Sequence, residues 1–219
     1  MKIQSFLHKK FNTISLRISA IAGITTFIIV LLIIVYSCYT IRNQEIEAAR
    51  ENALAFAKDY AMTLKAELEV PLDVSRGLAH QLSSIKDPNA NASLTREDVN
   101  AMFKTLVYKN PSFLGVYTVW EPNAFDGKDH LYKNTPGHDS TGRFITYWVR
   151  SEGKIVNIPA IGYDSEKDGH WYHIPKTTMK EAVLDPFLYN VEGKDILMAS
   201  MVVPVIHDDK FYGMTGIDV

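Results

Sequence analysis

The sequence predicts an α+β protein: an N-terminal transmembrane helix continuous with a long stalk helix, followed by an antiparallel sheet flanked by helices. Three observations predict it. Residues 18–39 run for 22 positions without a charge, residues 43–86 are rich in Ala, Glu, Leu and Lys with Gly77 as their one glycine, and residues 113–219 hold four β-rich runs. A long helix, a shorter helix and then strands in succession is the element order of an α+β domain.

The net charge of −2 says little, but its distribution is informative. Residues 1–42 carry five of the 23 Lys and Arg (Lys2, Lys9, Lys10, Arg17, Arg42) and none of the 25 Asp and Glu. The remainder is therefore mildly acidic and has no basic stripe, which argues against nucleic acid as a partner because such binding rests on neutralising phosphates. Cys38, the one cysteine, falls in the apolar run, so the rest of the chain has neither a disulfide nor a thiolate metal site.

The uncharged run from Ile18 to Tyr39 is long enough to cross about 30 Å of hydrocarbon at about 1.5 Å per residue. It is longer than the apolar core of a signal peptide and ends in bulky Tyr36 and Tyr39 rather than at a small-residue cleavage site, so an uncleaved anchor in the inner membrane is expected. Lys2, Lys9, Lys10 and Arg17 precede the span, whereas Glu45, Glu47 and Glu51 follow it. Positive residues stay in the cytoplasm, which puts residues 1–17 inside and residues 43–219 outside.

In the stalk, Leu54, Ala57, Ala61, Leu64, Leu68, Pro71, Ser75, Leu78, Leu82 and Ile85 recur at alternating steps of three and four, a heptad seam. Pro71 and Ser75 interrupt it. One half is expected to pair with a second copy of the chain and the other to pack on its own domain. KDPNANAS (86–93) breaks the helix, and Thr95 opens the next with Asp98 three residues on, a capping box. Val99, Met102, Phe103, Leu106 and Val107 follow at helical spacing until Asn110-Pro111 ends it. The β-rich runs are 113–120, 143–150, 197–206 and 211–219, the last two joined by His-Asp-Asp-Lys as a hairpin turn. Residues 121–142 form a turn-rich loop of a length often found at binding sites.

No phosphate loop, nucleophile elbow or metal-ligand spacing is present. His170 and His173 flank Trp171-Tyr172, but Pro175 argues against the helix that would bring them together, and the segment reads as a loop. Asp126, Asp129 and His130 lack the spacing of a calcium loop and read as a solvated turn. What stands out is aromatic density near acids: Tyr117 and Trp120, Tyr147 and Trp148, Trp171 and Tyr172, then Asp185, Phe187 and Tyr189. Aromatic faces beside carboxylates favour cationic or planar ligands. Tyr147 and Trp148 are neighbours on a strand and face opposite ways, so one of them at most enters a given pocket.

Together, FLGVYTVWEPNAFDGKD, GRFITYWVR, DGHWYHIPKTTMKEAVLDPFLY and VVPVIHDDKFYGMTGIDV resemble the membrane-distal half of a double Cache domain. This is the tandem PAS-like sensor module outside bacterial methyl-accepting chemotaxis proteins and sensor kinases, and the resemblance covers residues 17–219. It implies a PAS-like module over residues 93–219, without enzymatic activity or cofactor, with a ligand pocket lined by Tyr117, Tyr147, Trp148, Trp171, Tyr172, Asp185, Phe187, Tyr189 and Asp218. In amino-acid-binding members an Arg two residues before the Trp-Tyr pair holds the ligand carboxylate; here Gly169 stands there, with Asp168 beside it. Phe187 replaces a tyrosine, and Asp218 matches the amine-binding aspartate. The expected ligand is therefore an amine or a planar nitrogenous compound. The resemblance also expects a second module, a second span and a signalling domain beyond Val219, so a fragment or truncated gene product is expected. Alternatives are the same sensor on a histidine kinase or a cyclic-dinucleotide enzyme, or a membrane-anchored hydrolase.

Overall fold

The computed structural model describes residues 14–165 and 167–219. Lys2, Lys9 and Lys10, on which the inside-positive argument leans, lie outside the described residues. The chain divides into two units, residues 1–62 and 63–219.

The described part of the first unit, residues 14–62, is helical. Helix α1 spans Ile14–Ser83 and its residues up to Met62 belong here. The stretch is long and apolar enough to cross a membrane, and its large side chains, Phe27, Leu32, Ile34 and Tyr36 among them, are exposed on every side. An all-round apolar helix without protein neighbours is suited to lipid. Two of its hydroxyls bond to the helix itself: those of Thr25 and Thr26 donate to the carbonyls of Ile21 and Ala22 one turn back, the arrangement that satisfies such groups in lipid.

The second unit takes in the rest of α1, which runs through Pro71 to Ser83 and buries Pro71, Ser75, Leu78, Ala79 and Leu82. The lower half of the heptad seam is thus a packing face on its own sheet. A one-turn 3-10 segment, Ser84–Lys86, follows. Helix α2 (Arg96–Lys109) begins at Thr95 with a complete capping box, Thr95 taking the Asp98 amide while Asp98 takes the Thr95 amide, and Asn110 caps its end. Val99, Phe103 and Val107 form its buried stripe.

The strands are β1 (Gly115–Trp120), β2 (Thr146–Ser151), β3 (Lys154–Pro159), β4 (Ala182–Val183), β5 (Phe187–Val191), β6 (Lys194–Met198), β7 (Ser200–His207) and β8 (Lys210–Asp218). Six of them form one antiparallel sheet in the order β3-β2-β1-β8-β7-β4, and β5-β6 is a separate hairpin. Asp208 and Asp209 both adopt positive φ, 48° and 57°, at the β7–β8 turn, the twist that a two-residue hairpin needs. Strand alternation divides the core. Val116, Trp120, Val203, Val205 and Ile217 face α1 and α2. Tyr117, Tyr147, Val202 and Met214 face the other way, toward α4 (His170–Thr178) and the β5-β6 hairpin.

Two expectations are corrected. Residues 170–178 form a helix with Pro175 inside it, not a loop. Pro175 removes only the bond to the Trp171 carbonyl, and burial of Trp171, Tyr172 and Pro175 itself against the core outweighs that loss. Asp126 and Asp129 are not a solvated turn: Arg96, 1% exposed, donates to Asp126 at 2.9 and 3.0 Å, to Asp129 at 2.7 Å and to the Gly142 carbonyl at 2.8 Å. Its guanidinium lies 4.0 Å from the Tyr132 ring centre. One buried arginine thus anchors the long loop, including its short helix α3 (Asp129–Tyr132).

Candidate functional site: an aromatic pocket around a buried carboxylate

The sheet face opposite α1 and α2 carries a pocket whose base is set by strand register. Asp218 on β8 stands directly across from Ser200 on β7, and the Ser200 hydroxyl donates to its Oδ1. Asp218 is 2% exposed. Burial pushes its carboxyl up to about 7, with the Ser200 and Tyr147 hydroxyls opposing the rise. Among the described residues, no Lys or Arg lines the pocket.

Four rings wall it in. Tyr117 meets Tyr147 at 5.5 Å, Tyr147 meets Tyr189 at 5.9 Å, Tyr189 meets Trp171 at 6.2 Å, and Trp171 meets Tyr117 at 5.4 Å between centroids. Neighbouring planes are nearly perpendicular, 77° to 88°, so the four close a ring of edge-to-face contacts. Tyr117 and Tyr147 come from β1 and β2, Trp171 from α4 and Tyr189 from β5. Two glycines make room for them: a Cβ on Gly216 would lie 2.4 Å from the Tyr117 ring, and one on Gly115 2.4 Å from the Tyr147 ring. Tyr189 is latched to the backbone, its hydroxyl accepting from the Ile161 amide at 2.8 Å and donating to the Ile161 carbonyl at 3.0 Å. Phe187, Ala160 and Met198 complete the lining. A water-sized sphere can centre itself in only about 10 Å³ of the space between these walls, room for about one water molecule. The Tyr117 hydroxyl and the Trp171 Nε1 are buried without a hydrogen-bond partner. Burial and the neighbouring Asp218 charge both raise the Tyr117 phenol, so it stays neutral.

Of the nine residues named from the sequence, Tyr117, Tyr147, Trp171, Phe187, Tyr189 and Asp218 line this pocket. Trp148 is on the opposite sheet face, where its Nε1 donates to Asn100 Oδ1 at 2.8 Å. Tyr172 points away along α4: its hydroxyl donates to Glu121 and accepts from Arg143 at 2.9 Å. Lys176 holds the same Glu121 at 2.7 Å. Asp185 is exposed and outside the pocket. The loop 121–142 does not line the pocket either. Ser200, Ala160 and Met198 were not anticipated. At Gly169 a Cβ would lie 2.5 Å from the Ser165 carbonyl oxygen and 2.6 Å from that of Gly162, so this position has no room for an arginine without moving the backbone.

An antiparallel sheet with helices on one face and a roofed aromatic pocket on the other defines the class, a PAS-like sensor module. The chain belongs to the family described as methyl-accepting chemotaxis protein-like, first PDC sensor domain, whose profile matches residues 99–219. It is 27% identical to the methyl-accepting chemotaxis protein TlpQ of Pseudomonas aeruginosa over 94% of its own length, and spans about a third (33%) of that relative. Among solved structures, the extracellular domain assigned to the histidine kinase mmHK1S-Z2 is 36% identical over 78% of this chain and 60% of the other, with a TM-score of 0.66. The corresponding domain of mmHK1S-Z3 is 34% identical over 72% of this chain and 53% of the other, with a TM-score of 0.64. Methyl-accepting Chemotaxis protein X shares the fold at 24% identity and a TM-score of 0.59, over 78% of this chain and 64% of the other.

Proposed function

We propose that this chain is the ligand-sensing part of a membrane-anchored chemoreceptor, and that its pocket takes a small organic cation, an amine or a planar nitrogenous compound. The observation that carries the ligand class is Asp218, a buried carboxylate with no basic partner, walled by four rings. A cation supplies the missing counter-charge, and aromatic faces stabilise it further. An ordinary α-amino acid fits poorly, because its own carboxylate would be buried with no Lys or Arg to meet it. The chain acts by binding rather than by catalysis.

In this reading residues 18–39 sit in lipid, the N-terminus is cytoplasmic, and the module built from residues 93–219 is outside. The exposed upper seam, Leu54, Ala57, Ala61 and Leu64, pairs with a second copy. A second reading, the same sensor on a histidine kinase, draws support from the names of the two relatives at 34% and 36% identity. The coding sequence downstream of Val219 discriminates them.

Calorimetric titration of the full chain in lipid nanodiscs against amine and amino-acid panels tests the ligand class. We expect amines to bind and Asp218→Ala to weaken them about 100-fold or more, the effect of removing one partner of a buried charge pair. Tight binding of an ordinary amino acid that survives Asp218→Ala overturns the reading.

A further inference from the structure

The pocket and the long helix α1 meet at residues 179–184. Resting on the reading that this pocket is the ligand site, we propose that the ion pair Arg76–Glu181 transmits its occupancy to α1, as a twist of that helix against the sheet.

Not every wall can yield to an occupant. The space between the four rings admits about one water molecule, so anything larger displaces a wall. Tyr117 and Tyr147 cannot retreat: a Cβ on Gly216 or Gly115 would lie 2.4 Å from their rings, so each ring is already against strand backbone. Trp171 and Tyr189 stand on α4 and on the β5-β6 hairpin, outside the six-stranded sheet. Displacement falls to them.

Helix α4 ends at Met179, left-handed at φ 57°, and Glu181 follows two residues on. Its carboxylate takes Arg76 of α1 in a fork, from Nε at 2.6 Å and from Nη2 at 2.5 Å. Asp73, one turn back on α1, accepts from Arg76 Nη1 at 2.5 Å. The guanidinium is thus braced by its own helix, and a fork fixes angle as well as distance. Beyond Glu181, strand β4 pairs with Met201 and Val202 on β7, and the Leu184 amide donates to the Ser200 carbonyl at 2.9 Å. Residues 179–184 therefore run from the helix of Trp171 to the serine that holds Asp218, with α1 attached midway.

The residue beside Arg76 gives α1 a second hold. Buried Ser75 donates to the Thr215 carbonyl on β8 at 3.3 Å. Consecutive residues on an α-helix point about 100° apart, so Ser75 is bound to the sheet and Arg76 to the roof. A roof that moves against the sheet pulls on one and not the other, which turns α1 about its axis. A cleft lined in part by Ala79, His80, Glu181 and Pro204 leaves Glu181 room to shift.

The test is hydrogen exchange by mass spectrometry on the full chain in nanodiscs, read as the rate over residues 72–83 of α1 relative to residues 96–109 of α2. The pocket is filled in two ways: with ethylammonium and, without any ligand, by Ala160→Leu, or by Ala160→Val should the leucine variant not fold. Each filling should raise the ratio at least about fivefold. Arg76→Gln, Glu181→Gln and the double variant should all lose that response to the same extent. They should melt like the wild type, since an exposed ion pair adds little to stability. A response that survives in them overturns the proposal, as does a wild type that responds to neither filling. Loss accompanied by a large fall in melting temperature makes the pair structural and overturns it too. Ethylammonium that fails to bind while Ala160→Leu still moves α1 overturns the cation reading and leaves the coupling standing.

Discussion

Asp218 shows how one residue becomes a sensor element. Its identity is ordinary, and its behaviour comes from being 2% exposed with a serine hydroxyl and a tyrosine as its polar company. Because its folded pKa is raised to about 7 from 3.8, the folded protein holds a proton that the unfolded chain has lost over that interval. The stability this proton contributes is fully present below about pH 4 and is lost as pH rises through about 7. Thermal unfolding of the unliganded chain should therefore show a falling contribution between those limits and none above them, and Asp218→Asn should flatten it. Cation binding should behave oppositely, strengthening up to about pH 7 and levelling off, since only the ionised carboxylate attracts a cation. A melting temperature that rises across that window in the wild type, with the same rise in the Asn variant, would rule out this account of Asp218.

Elements matter here through what they leave room for. The four-ring wall exists because β1 and β8 place glycine beside tyrosine: Tyr117 faces Gly216 across the ladder, and the Tyr117 ring occupies the volume a Cβ would take. Gly216→Ala should push that ring into the cavity, costing about 1–3 kcal/mol as overpacking does and abolishing ligand binding. Gly77→Ala on α1, where a Cβ meets nothing within 4 Å, is the matched control and should leave affinity unchanged. Equal affinities in wild type and Gly216→Ala would show that Tyr117 is not a wall of the site. The helices were the most legible elements, since α2 announces itself with Thr95 and Asp98 and closes at Asn110. Helix α4 was not legible, because its interior proline speaks against a helix and only the burial of Trp171 and Tyr172 compensates.

At the scale of the molecule, the heptad seam changes character along its length, exposed up to Leu64 and buried from Pro71. Pro71, Ser75, Leu78 and Leu82 are consumed by the core of the second unit, while Leu54, Ala57, Ala61 and Leu64 remain exposed. In the proposed dimer this exposed apolar repeat is the pairing face. In a Cys38→Ser background, single cysteines at 54, 57, 61 and 64 should form disulfide-linked dimers in native membranes, and cysteines at 55, 59 and 62 should not. Equal cross-linking at all seven positions, or at none, would discard the seam as a dimer contact.

The sequence alone determined the membrane helix, the capped second helix, the α+β order and most of the aromatic wall, because charge, periodicity and turn chemistry are local. It also named Asp218, through resemblance. Register was decided only in three dimensions. From the Asp208-Asp209 turn, uninterrupted pairing would set Ser200 opposite Ile217, on the wrong face. The irregularity between Val205 and Ile206 shifts the ladder by one residue and brings Ser200 to Asp218. The anchoring of the loop 121–142 by Arg96, through Asp126 and Asp129, was likewise decided in three dimensions. Both outcomes depend on contacts between residues far apart in the chain, and no local pattern carries them.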